Sequence, residues 1–391
     1  MDPPALDIPK STHTVSVSVI DSTSDIIVPN AFFLQPQVPG FETMRARSVF
    51  FLIECPSDNG GPPRRILFDL GTRADWATGL SPATLASLQP MTTLKTSTGE
   101  PAGEITVEKD AHTILKEGCL EPDSIEAIIW SHAHVDHTGN PALFGQNTGL
   151  VIGPGFGSCT CNSGPGSDDH DHEKTDQALQ PHIFPGYPAD PESLLLESDY
   201  KGRNLRELTS AEFDRAGITI AGLRALDYFG DGSFYLLDTP GHSPGHLCGL
   251  ARVQEDHFIL MLGDGIHHMA ELRPNPYKPL PQKYVDSKLL SHFPEGAPDK
   301  ALFRPAGPKG ASMHLDPDQA AVIIAKLQVL DAHSNVFAVA AHDGHVFAAL
   351  VDAHKDGEPA LFPSGTVNDF VARGYVEKTQ WTFLKDFAHL V

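Results

Sequence analysis

Four separate β-type runs in this 391-residue chain each end in side chains that bind metal ions, and no other feature restricts the fold as much. Residues 125–130 (IEAIIW) lead into SHAHVDH, with His132, His134, Asp136 and His137. Residues 234–237 (FYLL) lead into DTPGHSPGH, with His242 and His246. Residues 258–262 (FILML) run into Gly263 and Asp264, and residues 336–340 (VFAVA) run up to His342 and Asp343. A layered α/β protein gathers a site in this way, at one edge of its strands.

Zinc and similar ions take imidazole nitrogen and carboxylate oxygen at about 2.0–2.2 Å, and a catalytic site keeps a position open for water. His132 and His134, two apart on an extended loop, can face one ion, while Asp136 and His137 turn to a second. A histidine of TPGHSPGH would complete the first trio and His342 the second. Asp264 has two carboxylate oxygens with which to bridge both ions. Two ions about 3.5–4 Å apart can share a hydroxide whose pKa is drawn toward neutrality. A lone buried histidine is more often a satisfied core residue than a ligand, but seven ligand-type residues at four strand ends are not explained that way.

The remaining pattern fits one α/β domain over residues 1–391 with loop insertions. Strands are expected at 14–20, 49–54, 65–69, 218–221 and 247–253, and helices near 81–88 and 108–117. Asp316, followed by Pro317 and apolar residues at spacings of three, marks the start of a helix. A mixed helical segment is expected over 370–391. Residues 153–205, rich in Gly, Ser and Asp, read as a surface insertion, and the Pro-rich residues 273–308 as an irregular excursion. Both would shape a pocket. The cluster DDHDHE (Asp168 to Glu173) and the pair Cys159 and Cys161 have no apolar frame to hold them and read as loop residues. Five irregularly spaced cysteines do not form a disulfide framework.

A net charge of −22 repels phosphate backbones and disfavours nucleic acid as a partner. No apolar run approaches the roughly 18–20 residues that span a bilayer. The opening MDPPALDIPKST lacks a basic n-region and an apolar h-region, so the expected location is the cytoplasm. The partner left is a small molecule.

HAHVDH fits the HxHxDH signature of the metallo-β-lactamase superfamily, and TPGHSPGH, GD and AHDG are similar to its later motifs in their usual order. The chain resembles that superfamily over residues 45–345. The resemblance implies an αββα sandwich with a dinuclear centre. It assigns His132, His134 and His246 to one metal, Asp136, His137 and His342 to the other, and Asp264 to the bridge, and it selects His246 rather than His242. Asp69 in FDLG matches an early Asp-x-Gly that orients a ligand. Zinc is the expected metal, with manganese, iron or cobalt suited to the same donors.

Within the superfamily the set most resembles the N-acyl-homoserine lactonases. That implies a hydrolase opening a small cyclic ester or amide by attack of the bridging hydroxide, with Asp136 moving the proton to the leaving group. Glyoxalase-type thioesterases and other small-ester hydrolases are the alternative. Lactonases of this type often place a tyrosine three residues after the bridging aspartate; here His267 stands there, a candidate hydrogen-bond donor to the substrate oxygen. Ala133 between the first two histidines departs from the flavodiiron branch. The GxSxG match at 241–245 does not describe a serine hydrolase, because Pro244 has no N–H for an oxyanion. A non-enzymatic binding protein is disfavoured, since every expected ligand is present.

Overall fold

The fold is that of a computed structural model, which describes all residues except 58, 97–98, 100, 158–182, 308–311 and 391. The Cys159–Cys161 pair and the DDHDHE cluster lie outside the described residues. In chain order the strands are β1 (Ser16–Asp21), β2 (Ser24–Pro29), β3 (Leu34–Gln35), β4 (Thr43–Ala46), β5 (Val49–Cys55), β6 (Arg64–Phe68), β7 (Glu104–Val107), β8 (Ala127–Ile129) and β9 (Gly149–Ile152). They continue with β10 (Leu205–Glu207), β11 (Ile218–Ile220), β12 (Leu223–Asp227), β13 (Phe234–Asp238), β14 (Leu247–Gln254), β15 (His257–Met261), β16 (Arg304–Pro305) and β17 (Val336–Val339).

Two six-stranded mixed sheets carry the molecule. One has the order β1-β5-β6-β8-β9-β10 and the other β11-β12-β13-β14-β15-β17. The first half of the chain thus builds one sheet and the second half its partner. Antiparallel hairpins connect β11 to β15, whereas β6, β8, β9 and β10 run parallel, as do β15 and β17. A small sheet, β4-β2-β7, stands beside them.

Strand periodicity explains the layering. Successive residues of VFFLIEC in β5 point to opposite faces. Phe51 and Ile53 pack with Phe234, Leu236, Ile259 and Met261 between the sheets. Phe50 and Leu52 pack outward with Leu115 of the helix Ala111–Glu117. On the far side, Leu250 and Leu260 meet Ile323, Ile324, Leu327 and Leu330 of the helix Pro317–Ala332. Helix, sheet, sheet and helix make four layers, and both sheets are covered on both faces, so their strands read as continuous apolar runs. Each fully buried large apolar side chain contributes about 1.5–3 kcal/mol.

The helix Pro317–Ala332 starts as its sequence implies, with the Asp316 carboxylate accepting the Gln319 N–H at 2.9 Å. Among its described residues the Pro-rich stretch holds only the short helix Gln282–Val285, the 3-10 turn Leu289–His292 and β16. Residues 370–391 include the helix Tyr375–Thr379 and a 3-10 segment Thr382–Leu390.

Candidate metal centre

Five strand ends converge. Asp69 follows β6, the SHAHVDH loop follows β8, His242 follows β13, Asp264 follows β15 and His342 follows β17. Asp69 holds the loop together in a left-handed backbone conformation (φ 63°). Its carboxylate accepts the Ser131 N–H at 2.7 Å and the Ser131 hydroxyl at 2.8 Å, and meets His137 Nδ1 at 2.8 Å. With Nδ1 engaged, Nε2 of His137 points into the centre.

There it lies 3.0 Å from Asp264 Oδ1 and 3.8 Å from Asp136 Oδ2. His342 Nε2 stands 3.0 Å from the same Asp264 oxygen and 3.2 Å from Asp136 Oδ2, while its Nδ1 faces the Arg47 carbonyl at 3.3 Å. Asp136, His137 and His342 form one group able to hold a cation.

The second group is His132, His134, His242 and Asp264. His242 Nε2 sits 3.2 Å from His132 Nε2, 2.9 Å from His134 Nδ1 and 3.4 Å from Asp264 Oδ2. The histidine of TPGHSPGH that faces the centre is therefore His242, against the expectation of His246. His246 is fully buried behind it. Its Nδ1 meets the Thr239 hydroxyl at 2.8 Å and its Nε2 accepts the Asp264 backbone N–H at 3.1 Å, so both ring nitrogens are engaged. Its Nε2 lone pair goes to the Asp264 backbone N–H and is not free for a cation. Gly241 (φ 137°) shapes this loop, since a Cβ there would stand 2.4 Å from the backbone nitrogen of Ala320. Only glycine lets the loop lie against the start of the helix Pro317–Ala332 and turn residue 242 inward.

These distances suit a pair of divalent ions. A tetrahedral ion with bonds of about 2.0–2.1 Å sets its ligands roughly 3.3 Å apart. His137 Nε2 and Asp264 Oδ1 are buried and adjacent, yet neither takes a hydrogen bond, as expected of two donors aimed at a shared cation. Charge points the same way. Burial opposes the cation of His342, but Asp264 and Asp136 outweigh it and raise its pKa to about 10. Burial likewise opposes the charge of Asp136, yet His137 and His342 hold its pKa at about 2. Burial, reinforced by the neighbouring histidines, keeps His132 and His242 far below the usual imidazole range, hence neutral and able to donate lone pairs.

His267 lies in the same place, 3% exposed, with Nε2 3.2 Å from Asp264 Oδ2. Beside it opens a cleft of about 1190 Å³ including its mouth, lined by His134, Asp136, His267 and His342 and walled by Ile26, Val28, Met44, Leu88, Met91 and Ile105. The apolar wall comes largely from β2, β4, β7 and the helix Pro82–Thr93, elements the motifs did not indicate. Leu194 to Leu196 and Asp199, from the segment 153–205, also line it; residues 273–308, expected to shape the pocket, contribute nothing to its lining among the described residues.

No protein-family model matches the chain. Gamma-lactamase FDB1 of Fusarium pseudograminearum is 35% identical over 99% of this chain and 86% of its own length. Metallo-hydrolase mfmC of Annulohypoxylon moriforme is 34% identical over 98% of this chain and 90% of its own. The monooxygenase mpaDE of Penicillium roqueforti is 36% identical over 98% of this chain, which spans 39% of the length of that relative. Among solved structures, a B. thuringiensis AiiA mutant with N-decanoyl-L-homoserine at its active site superposes with a TM-score of 0.51 at 16% identity, covering 90% of this chain and 98% of that one. Such identity along the whole length, on two covered sheets whose loop ends meet in clusters of histidine and aspartate, makes this chain a member of the metallo-β-lactamase-fold hydrolases.

Proposed function

We propose that the chain is a two-metal hydrolase that opens a small, largely apolar lactone or lactam ring. The observation that carries this reading is the convergence of six ligand-type side chains around Asp264 at the side of an apolar cleft. His132, His134 and His242 would hold one ion, Asp136, His137 and His342 the other, and Asp264 both. Zinc suits this donor set best. Bound there, the ions would supply Lewis-acid polarisation of the carbonyl and an acidified water.

The chain's own residues supply the rest. The walls formed by Ile26, Val28, Met44 and Ile105 exclude water and take the apolar body of the substrate. His267, on the cleft beside Asp264, would turn its N–H from that carboxylate to the carbonyl oxygen as charge develops on it. Asp136, which also lines the cleft, accepts a proton and passes it to the leaving alkoxide or amide nitrogen. FDB1 and MBL2 of Gibberella moniliformis, both called gamma-lactamases and 35% and 34% identical over 99% and 67% of this chain, support an amide ring beside an ester.

The test is elemental analysis of the purified protein, with the same preparation assayed on a panel of lactones, lactams and thioesters. Two metals per chain with ring opening is the expected result. One metal or none after reconstitution would overturn the reading, and turnover of thioesters alone would replace it with a thioesterase. His267→Ala should lower kcat with little change in metal content; unchanged kcat/KM would remove His267 from the mechanism.

A further inference from the structure

The cleft beside the metal centre is apolar over most of its wall, but one part of that wall carries charge. Arg73 and Asp199 both line it, and they are only 6% and 4% exposed. Arg73 lies four residues beyond Asp69, the brace of the ligand loop, so chain length alone keeps its backbone within about 14 Å of that brace. Asp199 belongs to the short helix Glu197–Tyr200, in the segment 153–205. Two bonds hold this helix in place. The Tyr200 hydroxyl accepts the Gly186 N–H at 2.7 Å, and Arg203, just beyond the helix, donates to the Pro141 and Thr148 carbonyls at 2.8 and 3.0 Å.

The two charges face each other without closing. Arg73 Nη1 stands 3.8 Å from Asp199 Oδ1, beyond hydrogen-bond distance. A guanidinium and a carboxylate that pair tightly approach to about 2.7–2.9 Å, and Arg73 does so with Asp75, through Nε at 2.6 Å. Asp199 Oδ2 accepts the Leu196 N–H at 3.3 Å, whereas Oδ1 is buried and has no hydrogen-bond partner among the described residues. Burial raises the Asp199 pKa to about 6 against the pull of Arg73 and the Leu196 N–H, so the carboxyl is short of donors. Thr72, on the same cleft, also has a buried hydroxyl oxygen without a partner among the described residues. The hydroxyls of Thr84 and Ser87 are by contrast spent on the Leu194 and Thr84 carbonyls, at 2.6 and 2.8 Å. A buried ion pair with an open acceptor does not repay its own desolvation.

The gap suits one kind of group. An oxygen about 2.8 Å from each atom closes a triangle on the 3.8 Å edge. A carboxylate there would be repelled by Asp199, and an ammonium by Arg73. A hydroxyl satisfies both, because one oxygen donates and accepts. We propose that Arg73 and Asp199 form a subsite for a hydroxyl group on the apolar body of the substrate, which donates to Asp199 Oδ1 and accepts from Arg73 Nη1. The proposal rests on the reading of the chain as a ring-opening hydrolase and narrows its substrate to hydroxylated rings. A substrate without the hydroxyl leaves both groups desolvated and unpaired, which is how a site built for a hydroxyl rejects its absence.

The test uses the metal-loaded full chain and lactones and lactams in matched pairs, each hydroxylated at one position of the apolar body or left bare there. Within each pair kcat/KM is compared for wild type, Asp199→Ala and Arg73→Met. In wild type one hydroxylated position should be favoured by about 100-fold or more, and in both variants that ratio should fall to within a few-fold of one. The ratio, unlike either rate alone, is not moved by a general loss of active protein. No preference at any position in wild type, or a preference that either variant keeps, overturns the proposal. So does a stronger preference for a carboxylate or an ammonium at the same position, since one residue would then bind alone. Should the variants fail to fold, wild type decides with the fluoro analogue of the favoured compound, close in size but unable to donate: equal turnover overturns the proposal. Wild type that opens no ring of either series would sink the hydrolase reading first, and this inference with it, whereas ring opening indifferent to the hydroxyl sinks this inference alone.

Discussion

Asp69 makes three contacts within the loop that carries four of the candidate ligands, and its removal would leave the Ser131 N–H and His137 Nδ1 without their acceptor. Asp69→Ala should therefore lower metal affinity by roughly 10–100-fold although no ligand is lost, which chelator competition would measure. The two histidines of TPGHSPGH should separate by phenotype. His242→Ala should cost one metal equivalent. His246→Ala should keep both and instead destabilise the fold by about 1–3 kcal/mol, because the Asp264 N–H loses its buried acceptor; elemental analysis and urea unfolding tell these apart. This pair also marks how far the sequence could be read. The loop after β8 and the aspartate after β15 were legible because residue type, spacing and strand end coincide. Which of two histidines four residues apart faces inward depends on a glycine turn packed against a distant helix, and Asp199 is brought to the cleft only by folding.

At the level of elements, the segment Thr382–Leu390 ties down two loops of the centre from outside. Asp386 Oδ2 lies 3.1 Å from His268 Nε2 and 2.9 Å from His345 Nε2, residues that neighbour His267 and follow His342. Burial opposes the Asp386 charge, but the bonds from His268 and His345 outweigh it and hold its pKa below the carboxylate range. Burial also opposes the His345 cation, and Asp386 outweighs it to raise that pKa. The depressed Asp386 adds stability that is present above about pH 4 and is lost as pH falls through its folded pKa; the raised His345 adds stability present below about pH 6.5 and lost as pH rises through its own. Asp386→Asn should thus shift the urea midpoint most between about pH 4 and 6.5 and least near pH 9; an equal shift at both ends would show that the charges do not matter. Strands such as β5 and β15 were legible because burial on both faces leaves uninterrupted apolar runs. The strands β2, β4 and β7 escaped notice, since SDIIVP, TMRA and EITV are short and mix polar with apolar residues. Yet they build much of the cleft wall.

Across the whole molecule, a buried set of histidines and carboxylates is costly to keep together without a cation to share. Chelation should lower Tm, and added zinc should restore it. A ligand at a thousand times its Kd stabilises a fold by about 4 kcal/mol per site, so the shift should be several degrees and should depend on zinc concentration. An unchanged Tm would mean that the centre does not bind metal in solution. The order of the motifs made the four-layer architecture legible, whereas the chemistry of the substrate depends on side chains from elements that carry no motif.

The division of labour between the two sheets has one more consequence. His132, His134, Asp136 and His137 ride on the sheet built before residue 208, and His242, Asp264 and His342 on the sheet built after residue 217. Each ion would therefore be grasped from both sides, as a rivet grips two plates. A chain cut between β10 and β11 and expressed as two pieces should reassemble more tightly with zinc than without it, so that metal supply would govern whether two separate polypeptides become one protein.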